Sequence, residues 1–520
     1  VLKGSRTVRY GSAALGGVIS LETKTDAKNS LEAIYGSFDT QIYRASFSQP
    51  LGEWNLTGYG EKNRSSSYRD VSSYDSESWS AVLSSPENEP FQVKFYFSGS
   101  EQIFDNPGGL IESQFRNNPR QSVNLENADF FTNVSDHFSV GQGIKWDLSD
   151  KRKLTLRSSW RRREREFNFG MGNHNDQTLD TLFAEFVFSE KGDRVSWDLG
   201  LRGNRDQLDH DRFGSISRTL VIGDADLDRL TLGAFIQGQY QWGNHWSVTG
   251  GIAWDHWQLD AQASDLDNVA GNFDENRNDD GFGAELSLAY ESDHNWSVWM
   301  RYDRVYRFPV LDEIASYQGF VQAQSFNEDL KSESGHALEI GWDYEGESLT
   351  WKTTLFSQWL DDEIGFDGDE RLNVNFARTH RFGIENSLRW SFENLDLRIN
   401  HSYTEGKYLA GEFQGNEVPL IPRHLVTARM TWKPHRDLSL ILGANYLSKR
   451  RRGNDFENEG DKIPSRFLVN SQLRWSASEE LDLFLKVENI FDRQYPNLIF
   501  SDLWYPGDGR YISVGARYEF

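Results

Sequence analysis

The sequence predicts an all-β fold: a transmembrane antiparallel up-and-down β-barrel of about 22 strands, with a small N-terminal fragment of a second domain. Three observations predict it. Apolar and polar residues alternate with a period of two along many segments. The connections between those segments alternate between short and long. The composition is poor in aliphatics yet rich in aromatics, with 18 Trp, 20 Tyr and 34 Phe, a hydrophobic fraction of 37% and a mean hydropathy of −0.66. Such a mixture suits a polar bore with aromatic girdles at two membrane interfaces better than a dry soluble core.

Along the chain, residues 1–26 read as the tail of a small separate domain, and 27–520 as the barrel itself. VLKGSRTVRYGSAALGGVISLETK carries short apolar stretches, Arg6, Arg9 and Tyr10, and the glycines Gly11, Gly16 and Gly17, which permit tight turns. Beyond about Leu31 the alternating segments begin. Trp246, Val248, Gly250, Ile252 and Trp254 share one face. So do Trp296, Val298, Met300 and Tyr302, then Leu395, Leu397, Ile399, His401 and Tyr403, and then Leu438, Leu440, Leu442, Ala444 and Tyr446. The last segment places Ile512, Val514, Ala516, Tyr518 and Phe520 on one face, so it is expected to close the barrel by pairing with an early strand. Tight connectors such as PLGE, EKGD, GNH and PHRD separate longer polar ones: 102–136, 205–228, 258–280, 307–334 and 449–465. Long loops confined to one end are the mark of an outer-membrane barrel. A bore this wide is usually plugged.

Several classes are disfavoured. The net charge of −24, from 79 acidic against 55 basic residues, argues against nucleic-acid binding. No cysteine is present, so disulfides and thiolate metal sites are absent. No apolar run reaches the length of a membrane helix. No signal peptide is read at the start, so the sequence is expected to be a mature chain or a fragment. No nucleophile–base constellation, phosphate loop or zinc motif appears, so no enzymatic role and no cofactor is expected.

Five segments, in order, resemble the TonB-dependent outer-membrane receptors. They are the N-terminal VLKGSRTVRYGSAALGGVISLETK, RFPVLDEI with FNEDLKSESGHALEIGWDY, NVNFARTHRFGIENSLRW, PLIPRHLVTARMTW, and VENIFDRQYPN with YPGDGRYISVGARYEF. In the second, Glu328 follows Asn327 where the family often has proline. The resemblance implies uptake of a bulky scarce nutrient, a ferric siderophore or cobalamin, energised through the TonB complex. Residues 1–26 would then be the C-terminal remnant of the family's plug. Most of the plug and the segment gripped by TonB are not in the sequence, and truncation is the expected reason. A passive diffusion channel is the alternative, and a barrel enzyme a more distant one.

Candidate sites follow. Arg6 and Arg9, with Tyr10, Gly11, Gly16 and Gly17, would meet inward barrel acids. Arg161, Arg162, Arg163 and Arg165 with Phe167 and Phe169, and Arg450, Arg451 and Arg452, lie at the expected extracellular rim. Guanidinium forks beside aromatic faces suit an anionic metal chelate, and equally the phosphates of lipopolysaccharide. Asp265, Asp267, Asp274, Asp279 and Asp280 form an oxygen-rich run that would suit structural calcium, without EF-hand spacing, or plain solvation. Haem is disfavoured because 311–324 holds no histidine.

Overall fold

The computed structural model describes residues 2–21, 23–25, 27–123, 132–168, 174–265, 272–314, 327 and 329–520, with Asp265 described by its backbone alone. The chain opens with β1 (Leu2–Lys3), the single-turn helix α1 (Thr7–Tyr10) and β2 (Gly17–Val18), where β1 and β2 pair. The wall then begins with β3 (Ser30–Gly36), β4 (Thr40–Leu51), β5 (Trp54–Ser65), β6 (Tyr74–Ser84) and β7 (Phe91–Asp105). After α2 (Glu112–Asn117) come β8 (Thr132–Ser149), β9 (Arg152–Asn168), β10 (His174–Lys191), β11 (Val195–Phe213), β12 (Val221–Trp242), β13 (Trp246–Asp265), β14 (Phe273–Glu291) and β15 (Trp296–Arg307). After α3 (Leu311–Ile314) come β16 (Glu333–Glu345), β17 (Leu349–Asp367), β18 (Leu372–Ser391), β19 (Leu395–Ala410), β20 (His424–His435), β21 (Leu438–Leu447), β22 (Arg466–Ser476) and β23 (Leu481–Glu488). A small hairpin, β24 (Pro496–Phe500) and β25 (Leu503–Pro506), precedes the last strand, β26 (Tyr511–Glu519).

Twenty-two of these strands form one closed antiparallel barrel. β26 closes it by pairing with β3, from Ser513 opposite Gly36 to Glu519 opposite Ser30. Register then decides which way every side chain points. On β10, Leu182 and Phe186 face outward and are well exposed, while Glu185 and Val187 are buried inside. Exposed Trp146, Trp242, Trp246, Trp351, Trp432 and Trp475 ring the short-turn end, and Tyr518 stacks with Phe520 there at 5.8 Å between ring centres. Tilted strands with lipid outside and water inside need this arrangement, because no backbone group in hydrocarbon can go unpaired.

The strands run further than the alternation suggested. β11 and β12 stay paired from Val195–Tyr240 up to Phe213–Val221, leaving 214–220 as the turn in place of the expected loop 205–228. β13 and β14 likewise pair from Trp246–Tyr290 to Ala263–Phe273. Above the membrane the alternation continues with its faces exchanged: on β13 Trp257, Leu259, Ala261 and Ala263 are buried on the inner face while Gln258, Asp260 and Gln262 face outward, so the strand runs on past the point where its outer face stops being apolar.

Cores at the long-loop end are small. One joins the inner wall (Leu227, Trp257, Leu259) to Phe308, Leu311, Ile314 and Leu330 of the β15–β16 connection. Another joins Leu110 and Phe115 to Ile463, Ile499 and Trp504, so that three connections fold into a common cap. Among the described residues no helix is long and apolar enough to cross a membrane, which says nothing of the strands.

The two faces make opposite demands. Val514→Arg, on the lipid face of β26, is expected to lower the unfolding free energy of the lipid-reconstituted barrel by about 2–4 kcal/mol. Thr427→Arg, on the water-filled face of β20, is expected to change it by less than about 1 kcal/mol. Reversible denaturant titration of both variants, followed by tryptophan fluorescence, measures the difference.

Candidate functional site

The N-terminal segment lies against the inner wall, and α1 touches β12, β13, β14 and β15. Its own sequence shapes it. Gly11 adopts φ +77°, which ends α1, and a Cβ there would strike the Arg202 guanidinium and the Asp255 carboxylate. Gly17 has φ +143°, and its Cα lies so near the Leu2 carbonyl that a Cβ would meet the oxygen at 2.6 Å. Gly16, grouped with these two in the sequence reading, has open space around it and needs no such freedom.

Charges fix the segment to the wall. Arg9 donates two hydrogen bonds to Glu185, one of them at 3.1 Å, and Arg157 donates to the same carboxylate at 3.0 Å. Arg9 also lies over the Phe235 ring at 4.9 Å and over Tyr10 at 5.2 Å. Arg202 donates to both oxygens of Asp255 at 3.0 Å, and also to the backbone carbonyls of Val8 (3.3 Å) and Arg9 (3.2 Å). The Tyr306 hydroxyl donates to Asp255 as well. Lys3 pairs with Glu385 at 2.6 Å, a contact between residues 382 apart that nothing local in the sequence marks. Arg6 lines a cavity with Lys3, Glu339 and Glu385.

Higher up the same wall, strand alternation sorts the arginines of β9. Arg161, Arg163, Arg165 and Phe167 stand opposite Thr181, Leu179, Gln177 and Asn175 of β10, on the inner face. Arg162 faces outward, paired with Asp180 at 2.7 Å. Arg163, Arg165 and Phe167 line a cavity of about 390 Å³ with Leu179, Asp206, Leu208, Arg229, Leu311 and Asp312. The Arg163 Nε is buried and meets no acceptor among the described residues. Arg165 lies over the Phe167 ring at 5.2 Å. Arg229 donates to Asp206 (2.6 Å) and to the Pro309 carbonyl (2.9 Å), tying the cavity to the β15–β16 connection. That connection reaches down in turn: the Phe308 N–H donates to the Ser12 hydroxyl oxygen at 2.8 Å. The cavity thus presents three arginines against two aspartates, beside apolar side chains. It suits an anion with an apolar or ring-bearing body.

The other sequence candidates stand elsewhere. Phe169 and Asp267 lie outside the described residues. Arg450 is buried and donates to the Asn497 carbonyl, Arg451 donates to Glu417, and Arg452 pairs with Asp502, so all three hold the extracellular connections together. Asp279 and Asp280 are neighbours on one strand and point to opposite faces. Asp279 accepts from Ser332, inside, and Asp280 faces His256 and Trp254, outside. Asp274, further along β14, stands opposite Gln262, and β13 ends at Asp265. One ion cannot bridge Asp279 and Asp280, and no group of three metal-ligating side chains forms among the described residues.

A family model described as "TonB dependent receptor-like, beta-barrel" matches residues 23–490. The iron-regulated outer membrane virulence protein of Vibrio cholerae is 21% identical over 564 aligned positions, which cover 100% of this chain and 79% of that protein. Among solved structures, the ferric yersiniabactin uptake receptor FyuA of Yersinia pestis aligns with a TM-score of 0.82 at 18% identity, covering 100% of this chain and 84% of that one. The ferric-catecholate import receptor Fiu of E. coli K12, in its closed form, aligns with a TM-score of 0.82 at 15% identity, covering 100% and 86%. At such identities the structural likeness speaks for the fold.

Two expectations follow. Breaking the Arg9 pair by Glu185→Ala is expected to speed tryptic cleavage after Arg9 in the folded protein about tenfold or more, as losing roughly 1.5 kcal/mol of charged hydrogen bonding would. The loop carboxylate Glu417 gives a pH test. Burial alone would raise its pKa, but hydrogen bonds from Lys462 and Arg451 and the charge of Arg423 bring it down to about 2. A depressed carboxylate stabilises at pH values above its unfolded pKa and loses that contribution as pH falls through its folded one. Hydrogen-exchange protection of 448–465 is therefore expected to hold at pH 6 and to decline between about pH 4.5 and 2.

Proposed function

The chain belongs to the TonB-dependent receptor family, and on that premise we propose that it imports an anionic metal chelate, of the ferric siderophore kind, across the outer membrane. One observation carries the choice of cargo: three guanidiniums, Arg163, Arg165 and Arg229, turn into a single lumenal cavity beside Phe167 and Leu208. A neutral cargo would leave part of that charge uncompensated, whereas a negatively charged chelate meets it with charge-assisted hydrogen bonds. The iron-linked names of the Vibrio relative and of the Yersinia and E. coli receptors agree with this reading. Cobalamin, with mostly neutral amide side groups around its corrin and a single phosphodiester, offers these guanidiniums less anionic charge.

In this proposal the segment 2–21 belongs to the plug. The Arg9–Glu185 and Arg202–Asp255 contacts are the hold that TonB, drawing on the inner-membrane complex, must overcome to open the bore. The Phe308–Ser12 contact places the roof of the cavity and the plug segment in one hydrogen-bonded unit.

Equilibrium titration tests the reading, with tryptophan fluorescence as the signal. The purified protein is expected to bind a ferric catecholate at least about tenfold more tightly than cobalamin. Arg163→Gln with Arg165→Gln is expected to weaken chelate binding by about 10–100-fold, the equivalent of roughly 1.5–3 kcal/mol. Equal affinity for both cargoes, or a double variant that binds as wild type does, would sink it.

A further inference from the structure

On the outer face of β19 and β20 two histidines meet. Asn400 lines the lumenal cavity beside Lys3 and Arg6, so its neighbour His401 faces outward, as do Ile399 and Tyr403. Register puts Val426 opposite His401 and His424 opposite Tyr403, so the two imidazoles stand on one diagonal across the seam. Their rings lie 5.5 Å apart with 13° between planes, and the Tyr403 ring flanks His424 at 5.1 Å. His401 Nε2 and His424 Nδ1 are 3.2 Å apart. His424 is exposed and His401 half-buried, so the pair opens to the outside.

The contact is unlike that of other outward histidines. His256 meets the Asp280 carboxylate at 3.0 Å, His336 the Tyr302 hydroxyl at 2.7 Å, and His380 the Ser357 hydroxyl at 2.8 Å. Each of those rings has an oxygen to bond. His401 and His424 have each other, and among the described residues neither ring forms another hydrogen bond or an ion pair. A nitrogen–nitrogen contact needs one neutral ring to donate and the other to present a bare lone pair. The spacing also matches a shared metal. Two imidazole nitrogens bound at about 2.0–2.1 Å, with a tetrahedral angle between them, stand about 3.3 Å apart. A small pivot of the rings lets both lone pairs converge on an ion in place of the shared proton. Coordination through Nε2 of His401 and Nδ1 of His424 leaves the remaining N–H of each neutral ring pointing away from the ion.

We propose that His401 and His424 form a two-histidine site for a late divalent transition metal, Zn²⁺, Ni²⁺ or Cu²⁺. No third histidine or carboxylate joins them among the described residues, so water fills the other positions. Imidazole selects these ions over Ca²⁺ and Mg²⁺, which want oxygen. The site is separate from the cargo cavity, whose arginines Arg163, Arg165 and Arg229 stand on the inner face. Its place in the fold gives the ion a consequence. The β19–β20 ladder ends at Tyr403 opposite His424, while β19 runs on beside β18 to Ala410. A metal joining His401 to His424 clips the seam at that open end. Binding to the closed seam alone opposes its fraying.

Isothermal titration of the untagged full chain in detergent micelles tests the site, with Ni²⁺ and Mg²⁺ as probes. Wild type is expected to bind Ni²⁺ at least about tenfold more tightly than His401→Gln or His424→Gln does, and to show no such difference with Mg²⁺. His256→Gln, on the same face but bonded to Asp280, is expected to bind as wild type does. With Cu²⁺, electron paramagnetic resonance is expected to show two equatorial nitrogens in wild type and fewer in either single variant. Hydrogen exchange at 402–404 and 424–426 is expected to slow when Ni²⁺ is added to wild type, and not in the variants. A measurement on wild type alone covers variants that fail to fold. Ni²⁺ is expected to protect both His401 and His424 from carbethoxylation by diethyl pyrocarbonate, read by mass spectrometry. Equal Ni²⁺ binding by wild type and both folded variants would make it an adventitious ion only and overturn the proposal. So would a wild type in which either histidine stays reactive under saturating Ni²⁺.

Discussion

A strand in hydrocarbon cannot leave its N–H and C=O groups unpaired, and every other feature of this molecule follows from that constraint. It forces β26 to find β3, because any free edge would expose a row of orphaned groups to lipid. Closure in turn fixes the register of all twenty-two strands, and register fixes the facing of each side chain. The inward placement of Glu185, Arg202 and Asp255, and the outward placement of Leu182 and Phe186, are consequences of pairing made around the whole ring.

The lumen then has two tiers. In the lower one, carboxylates and arginines of the wall hold the N-terminal segment, and glycines make room. Gly233 stands beside Asp255 with no space for a Cβ, and Gly281 lies under the Tyr306 ring. In the upper tier, Arg163, Arg165 and Arg229 surround the cavity. The β15–β16 connection spans both: Arg307 pairs with Glu313 and Glu333, Leu311 and Asp312 line the cavity, and Phe308 touches Ser12. Phe308, Leu311, Ile314 and Leu330 of this connection pack with Trp257 and Leu259 of the wall in one buried cluster.

Much of this was legible in the sequence, for a definite reason. Period-two alternation and the placement of tight turns are local, so the barrel, its strand number and its closing strand could be read from them. Facing within an arginine run was not read, although it depends on the same alternation. Once β9 is known to be a strand up to Asn168, Arg162 must oppose Arg161 and Arg163. The missing step was the strand's upper limit, hidden where its outer face stops being apolar. Partners across the bore were out of reach altogether. Arg9 and Glu185 are 176 residues apart, and nothing near Glu185 marks it as the acceptor. Asp279 and Asp280 erred in the opposite direction: adjacency in sequence suggested a cluster that a pleated strand pulls to opposite faces.

The overall charge of −24 opposes the proposed anionic cargo, and the distribution of charge resolves the conflict. Much of the excess acid stands on the outer and upper surface, where Asp211 faces Asp224 and Asp209 faces Asp226 across β11 and β12. In physiological salt such exposed charge is screened within about 8 Å. The arginines of β9 act inside a cavity walled by Leu179, Leu208 and Leu311, where screening by water and ions is weaker and each charged contact counts for more. The acidic exterior therefore governs solvation of the loops, while the proposed function assigns the choice of cargo to the arginines of this one cavity. Under the proposed function selectivity resides in the bore, where the Arg163 Nε meets no acceptor among the described residues and the surrounding apolar side chains weaken screening by salt.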